Sequence, residues 1–253
     1  MKEKINIYEA VGDNTGYVQL VQHMGTDKTI VNSARVSFGV EKDTVNEKDK
    51  KLIKYLIDHR HTSTLEHNIA TFKFCVPLFV RSQHHRHRTW SYNEISRRYT
   101  EKDLQFYEPD QFRTQHKSNR QASNEVGLIN PTLAPAFLDT YVEANKTLRR
   151  WGEHSLDVYN QMLSKGICRE QARMVLPQNL YTEYYGTVNL NNLLKFIDLR
   201  IHEGAQWEIQ QVAKACLSIA QDIWPTPVNN FIQKRFPKPA PPELAWEVRS
   251  TAT

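Results

Sequence analysis

Apolar residues follow two periods along this chain, and the switches between them divide it into elements. Ile5-Asn6-Ile7-Tyr8 and Tyr17-Val18-Gln19-Leu20-Val21 are short alternating or apolar runs that predict strands, and the mixed stretch Val31-Asn32-Ser33-Ala34-Arg35-Val36-Ser37 follows them. Between about Asn46 and His59, Leu52, Ile53, Leu56 and Ile57 recur at helical spacing behind an Asn/Glu/Asp-rich start, which predicts an amphipathic helix. Asn68 to Val76 alternates, with Ala70, Phe72, Phe74 and Val76 on one face of a strand ended by Pro77, and Leu78 to Arg88 continues as a helix. Phe106 to Pro135 is rich in Pro, Gln, Asn, Ser and Arg and has little periodicity, so a long loop or insertion is expected there, with a substrate lid as one use for it.

Phe137, Tyr141, Ala144, Leu148, Trp151, Tyr159 and Leu163 trace a helical stripe that stops at Gly166 and is most simply core. Leu180 to Val188 has the aromatic, β-branched mix of a strand. Helices are expected over Asn191 to His202 and Ala205 to Ile223, the second ended by Pro225 and Pro227. There is no internal repeat or linker. The strands therefore share one sheet flanked by helices, an α+β single domain over residues 1–236, with an extended or disordered Pro-rich tail at 237–253.

Composition narrows the partners. With 253 residues, 40% hydrophobic and 24% charged, the chain can bury a sizeable core. No apolar run approaches the roughly 20 residues that span a bilayer, and the start Met-Lys-Glu-Lys carries no secretory core, so a cytoplasmic protein with no membrane partner is expected. Cys75, Cys168 and Cys216 form no CxxC pair and are expected to be buried small hydrophobes. A formal charge of +5 favours anionic partners. None of the nine glycines forms a GxG, so any phosphate must be held mainly by side chains.

Two stretches concentrate the candidate chemistry. His59-Arg60-His61-Thr62-Ser63-Thr64-Leu65-Glu66-His67 has three histidines and a carboxylate, but their spacing matches neither a zincin helix nor a zinc finger, and no metal is assigned. A polar helix cap and turn, or a ligand-contacting loop, remain open for it. Residues 86–98 hold four arginines, a histidine, two serines, an asparagine and one carboxylate, interleaved with Trp90, Tyr92 and Ile95. A nucleic-acid patch would explain the arginines. Glu94 would weaken such a patch, whereas it suits a sugar hydroxyl or a fixed guanidinium, and Ser96 with Arg98 suits a terminal phosphate.

Arg86-His87-Arg88 followed by seven residues and Ser96 resembles the signature of the flavin-dependent thymidylate synthases. Ser33-Ala34-Arg35-Val36-Ser37, His59 to His67, Gln83, Ala172-Arg173-Met174-Val175-Leu176-Pro177, Asn179-Leu180-Tyr181-Thr182, Thr187-Val188-Asn189, Leu199-Arg200 and Ala205-Gln206-Trp207-Glu208-Ile209-Gln210-Gln211 resemble family segments in the family's order. The likeness covers roughly residues 30–235.

The resemblance implies an enzyme that methylates dUMP to dTMP, with methylenetetrahydrofolate as one-carbon donor, NADPH as reductant and FAD as hydride relay, and no cysteine nucleophile. It implies a homotetramer with active sites at subunit interfaces and no nucleic acid partner. Carried over by position, Gln83, His84, His85, Arg86, Glu94, Ile95, Ser96, Arg97, Arg98, Arg173 and Arg200 would bind the nucleotide. Ser96, Arg98 and Arg173 would lie nearest the phosphate, and Arg200, the implied catalytic residue, would face the uracil. His61, Ser63, Arg86, His87, Arg88, Glu94, Asn189, Asn191 and Lys195 would hold FAD. Two positions depart from the pattern: Lys195 replaces a shorter polar residue, and Arg97 stands where glycine is common. A related flavin- and folate-dependent pyrimidine nucleotide hydroxymethylase is the enzymatic alternative, and a non-catalytic nucleic-acid-binding protein the other.

Overall fold

In the computed structural model, which describes residues 3–96, 98 and 104–236, alternating strands and amphipathic helices build one α+β domain. Arg97 and the tail at 237–253 lie outside the described residues. In chain order the elements are β1 (Lys4–Asn6), β2 (Tyr17–Met24), α1 (Asp27–Arg35), α2 (Glu47–Asp58), β3 (Ile69–Pro77), α3 (Leu78–His84), β4 (Ser91–Glu94), β5 (Phe112–Gln115), β6 (Ser123–Ile129), β7 (Thr132–Leu133), β8 (Val142–Glu143), α4 (Ala144–Ser164), α5 (Arg169–Ala172), β9 (Tyr181–Asn189), α6 (Leu190–Arg200), α7 (Trp207–Ile223) and α8 (Pro225–Arg235).

The main sheet is antiparallel with the order β1-β2-β3-β9-β4. Its register sets Phe72 opposite Gly186 and Phe74 opposite Tyr184, so these residues share one face. Ala70, Phe72, Phe74 and Val76 are fully buried there beneath α3, α6 and α7. Burial of each phenylalanine contributes roughly 1.5–3 kcal/mol. The opposite face is more polar, although Thr71 and Cys75 on it are also buried: Thr71 and Thr187 share a hydrogen bond, and Lys73 pairs with Glu183 at 3.0 Å. This is the apolar-in, polar-out alternation of an antiparallel sheet. Gly186 is required by packing, because a Cβ there would lie 3.0 Å from the Phe74 ring and 3.1 Å from the Trp90 ring.

α2 begins with a capping box. Asn46 Oδ1 accepts from Lys48 N at 2.9 Å and Asp49 N at 3.2 Å, and Asp49 answers by accepting from Asn46 N at 3.1 Å. Asp49 is buried and also accepts from Arg35 at 2.8 Å and Lys42 at 2.7 Å, which ties α1 and its following loop to α2. Lys42, then the Asn46 backbone, pull its carboxyl from the ordinary 3.8 down to about 2. A depressed carboxyl contributes stability that is present above its unfolded pKa and lost as pH falls toward its folded one. Asp49→Asn should therefore lower Tm at pH 7, and the difference from the native protein should close between about pH 4 and 2 in melts followed by circular dichroism.

Several expectations change. α1 arises in a stretch without a readable period, because only Ile30 and Val31 are buried along it. The helix expected over 78–88 stops at His84, where the Tyr92 hydroxyl donates to the carbonyls of His84 at 3.0 Å and His87 at 3.2 Å. Part of the expected loop at 106–135 is the β5–β6 hairpin, which is exposed along much of both faces and so carries no alternation. The stripe from Phe137 is core only in part: Tyr159 is fully buried, but α4 starts only at Ala144, and Tyr141 and Trp151 are 77% and 40% exposed. Pro225 ends α7 but also starts α8, where a proline needs no N–H. Cys168 is exposed, whereas Cys75 and Cys216 are buried. Among the described residues no helix is long and apolar enough to cross a membrane.

Candidate active site

The arginine-rich stretch is aimed by an aromatic floor. Phe74 stacks on Tyr184 at 5.0 Å, and His84 packs edge-on against Phe74 at 4.8 Å and Trp90 at 4.5 Å. His84 is fully buried, its Nδ1 2.8 Å from the Tyr184 hydroxyl, and burial lowers its pKa well below the ordinary value. Of the residues assigned to the nucleotide, His84 thus has its ring in the floor and its carbonyl taken by Tyr92. His85 packs at a tilt against Tyr92 at 4.1 Å, half-buried. Arg86 and Arg88 point out of this floor as exposed side chains, while His87 turns inward.

His87 meets Arg200 at the C-terminal end of α6. Arg200 Nε donates to His87 Nε2 at 3.0 Å, and its Nη2 donates to the Gln83 carbonyl at 3.4 Å. Burial, with Arg200 adding to it, lowers the His87 pKa to about 4. The imidazole is thus neutral at pH 7 with its proton on Nδ1, and it orients the guanidinium. The unfolded imidazole takes up a proton near 6.5 and the folded one only near 4, so stability should fall as pH drops through that window. His84, depressed in the same direction, adds to the slope. His87→Gln should flatten part of the slope in Tm measured against pH.

Gln83 also leads away from Arg200. Its amide nitrogen donates to Gln206 Oε1; Gln206 Nε2 donates to Glu208 Oε2 at 2.9 Å; and Glu208 Oε1 pairs with Arg113 at 2.5 Å and accepts from the Tyr107 hydroxyl at 3.3 Å. Arg113, from β5, lies 4.7 Å from the Trp207 ring centre and donates to Ser123 at 3.0 Å. The hairpin is thereby fastened to α7.

A second group lies on another side of α3. Arg81 stands two residues before Gln83, about 200° around a helix, and pairs with Glu94 at 3.3 Å. Thr182 donates to the same carboxylate at 2.7 Å. Arg81, Glu94, Ile95, Ser96, Arg173 and Thr182 line a cavity of 530 Å³. Ser96 Oγ accepts from Arg98 N at 3.3 Å.

A third group gathers at the N-terminal end of α6. Asn189 caps that helix by accepting from Asn192 N at 2.9 Å, and Asn191 donates to Glu66 at 2.7 Å. His61 and Ser63 are exposed in the turn that carries Glu66. Lys195 is exposed midway along α6, whose 11 residues separate this group from Arg200 by about 16 Å. Among the described residues no three His, Cys, Asp or Glu side chains converge to hold a metal ion.

The structure thus brings together Gln83, His87 and Arg200, then separately Glu94, Ile95, Ser96 and Arg173, then His61, Ser63, Asn189 and Asn191. Sequence reasoning missed Arg81, Arg113 and Glu66 as partners. Gln206 and Glu208 stood inside a matched segment without a role. Only the helical offset of Arg81 from Gln83 offered a local signal.

The profile of the thymidylate synthase complementing protein family matches residues 19–226. Flavin-dependent thymidylate synthase of Thermus thermophilus is 46% identical over 210 residues, 83% of this chain and 73% of that one. The protein of the same name from Thermotoga neapolitana is 39% identical over 225 residues, 87% of this chain and 93% of that one. Among solved structures, a UMP/dUMP methylase from Streptomyces cacaoi with 5-Br UMP bound superposes with a TM-score of 0.68 at 31% identity, covering 85% of this chain and 92% of that one.

Proposed function

This chain belongs to the flavin-dependent thymidylate synthase family, and from that premise we propose that it methylates dUMP at C5 to give dTMP, using methylenetetrahydrofolate, NADPH and FAD. The observation that carries the reading is the convergence of Arg200, His87 and Gln83. A guanidinium so held can stabilise negative charge that develops on a pyrimidine ring, which makes C5 nucleophilic without an enzyme thiol. Two of the three thiols support this route. Burial pushes Cys75 up to about 12 and Cys216 higher, so neither is a thiolate at neutral pH.

The donor set fits a flavin dinucleotide. Asn189, Asn191, Ser63 and His61 would hold one end, Arg86, His87 and Arg88 the other, with Lys195 along the exposed side of α6 between them. When bound, the flavin relays hydride from NADPH to the one-carbon unit. Ser96, Arg98 and Arg173 would take the nucleotide phosphate, and Glu94, already fixed by Arg81 and Thr182, a sugar hydroxyl. His85, Ile95 and the undescribed Arg97 would complete the nucleotide pocket.

Because the Arg173 and Arg200 groups lie off different sides of α3, a nucleotide that uses both would draw them from two copies of the chain. Self-association into a homotetramer is supported by exposed apolar side chains: Phe38 is 82%, Tyr141 77% and Val36 73% exposed. A nucleic-acid patch is the poorer reading, since His84, Trp90 and Tyr92 of the basic segment are committed to the floor. The name of the Streptomyces relative favours one variation, use of UMP beside dUMP. Purified protein given FAD, NADPH, methylenetetrahydrofolate and either nucleotide should yield a C5-methylated product by mass spectrometry. No product from either nucleotide would sink the proposal, and a hydroxymethylated product would establish the sister reaction instead.

A further inference from the structure

We infer that Glu208 fixes which way the Gln83 amide faces, and that this lock selects a 4-oxo pyrimidine over a 4-amino pyrimidine at the Arg200 end of the site. The inference rests on the proposed reading in which Gln83 and Arg200 meet the uracil.

A carboxylate can only accept hydrogen bonds. Glu208 is 4% exposed and its two oxygens are filled by donors: Arg113 at 2.5 Å and Tyr107 at 3.3 Å on Oε1, Gln206 Nε2 at 2.9 Å on Oε2. Burial and the nearby Glu208 charge push the Tyr107 hydroxyl up, so it stays a donor. Gln206 must therefore turn its NH2 toward Glu208, which leaves its oxygen facing Gln83. Gln83 must answer with its own NH2. What remains on Gln83 for a ligand is a free oxygen beside one N–H, an acceptor and a donor in fixed order.

Uracil matches that edge. Its N3–H can donate to Gln83 Oε1 while its O4 accepts the remaining Nε2–H. Cytosine presents the reverse, an unprotonated N3 and an amino group, and would need the amide rotated by half a turn. An unconstrained glutamine makes that rotation easily. Here reversing Gln83 alone sets its oxygen against the Gln206 oxygen, and reversing both sets the Gln206 oxygen against the Glu208 carboxylate. Either outcome places two acceptors face to face in a part-buried contact, the kind of mismatch by which a hydrogen-bonding site rejects a near-isostere. The hairpin has a part in this, because Arg113 on β5 supplies the cation that holds Glu208, clamped over Trp207. Glu208 and Arg113 thus act as positioning residues through Gln206 and Gln83.

The test is the ratio of Kd values for dCMP and dUMP on FAD-loaded protein, measured by titration calorimetry. Native protein should prefer dUMP by roughly 100-fold or more. Glu208→Gln allows both amides to reverse, and Gln206→Met cuts the relay while leaving the Arg113–Glu208 pair in place. Each should reduce the ratio by roughly tenfold or more, chiefly through tighter dCMP binding, a change that general loosening of the fold would not produce. If Glu208→Gln does not fold, Gln206→Met decides alone. A folded, flavin-loaded variant that keeps the native ratio overturns the inference, as does native protein that binds both nucleotides equally. Native protein that binds neither overturns the underlying reading, and the lock with it.

Discussion

Arg200→Ala should lower kcat for dUMP methylation by roughly 10²–10³-fold, the cost of removing one preorganised group from developing negative charge. The guanidinium is held on two sides by His87 and the Gln83 carbonyl, which spend its Nε–H and one N–H of Nη2. The remaining N–H groups are left in a planar fork for the pyrimidine oxygens. Although His87 loses its partner, Asn189, Asn191, Arg86 and Arg88 are untouched, so the variant should keep its flavin, seen as a retained flavin absorbance spectrum. Arg200→Lys should restore little, since an ammonium cannot satisfy His87 Nε2 and present a fork at the same time. Native kcat in the alanine variant would remove Arg200 from the chemistry. Loss of the flavin spectrum with native turnover after flavin is resupplied would reassign it to cofactor binding.

The second large effect concerns where the site is assembled. Arg173→Ala assayed at low dUMP, and Arg200→Ala, should each be nearly inactive. Refolding or co-expressing the two in equal amounts should recover about a quarter of native activity if Arg173 and Arg200 reach one nucleotide from different copies, because random association of subunits then gives some sites both arginines. No recovery is possible if both come from the same chain, since every chain carries one lesion. Recovery in proportion to mixing, read by initial rates, separates the two arrangements.

Local pattern carried much of the scaffold. The alternation of Ala70, Phe72, Phe74 and Val76 marked β3, and the cap at Asn46 with Leu52, Ile53, Leu56 and Ile57 marked α2, because the large apolar side chains of each element recur on one face. Where burial does not follow one face, pattern failed. β4 is only four residues at the sheet edge, α1 buries two side chains, and the β5–β6 hairpin stands on the surface. On α4 the aromatic stripe marked core only in part: Tyr159 is buried, whereas Trp151 packs edge-on against Phe137 and tilted against His154 as an exposed side chain, so periodicity revealed an apolar face without revealing what covers it.

By itself the sequence determined the residue types, their order along the chain and the signature from Arg86 to Ser96, which carried the family and the class of ligand. It also excluded a GxG loop as the holder of any phosphate, because no GxG is present. Only the tertiary structure decided that His87 orients Arg200, that Arg81 holds Glu94, that His84 lies in the floor, and that Gln206 and Glu208 stand behind Gln83. The His87–Arg200 bond joins residues 113 apart, and the Gln83–Gln206 bond residues 123 apart. Helical and strand periods constrain neighbours within a few residues. Contacts at such separations are set by how α3, α6 and α7 pack on the sheet.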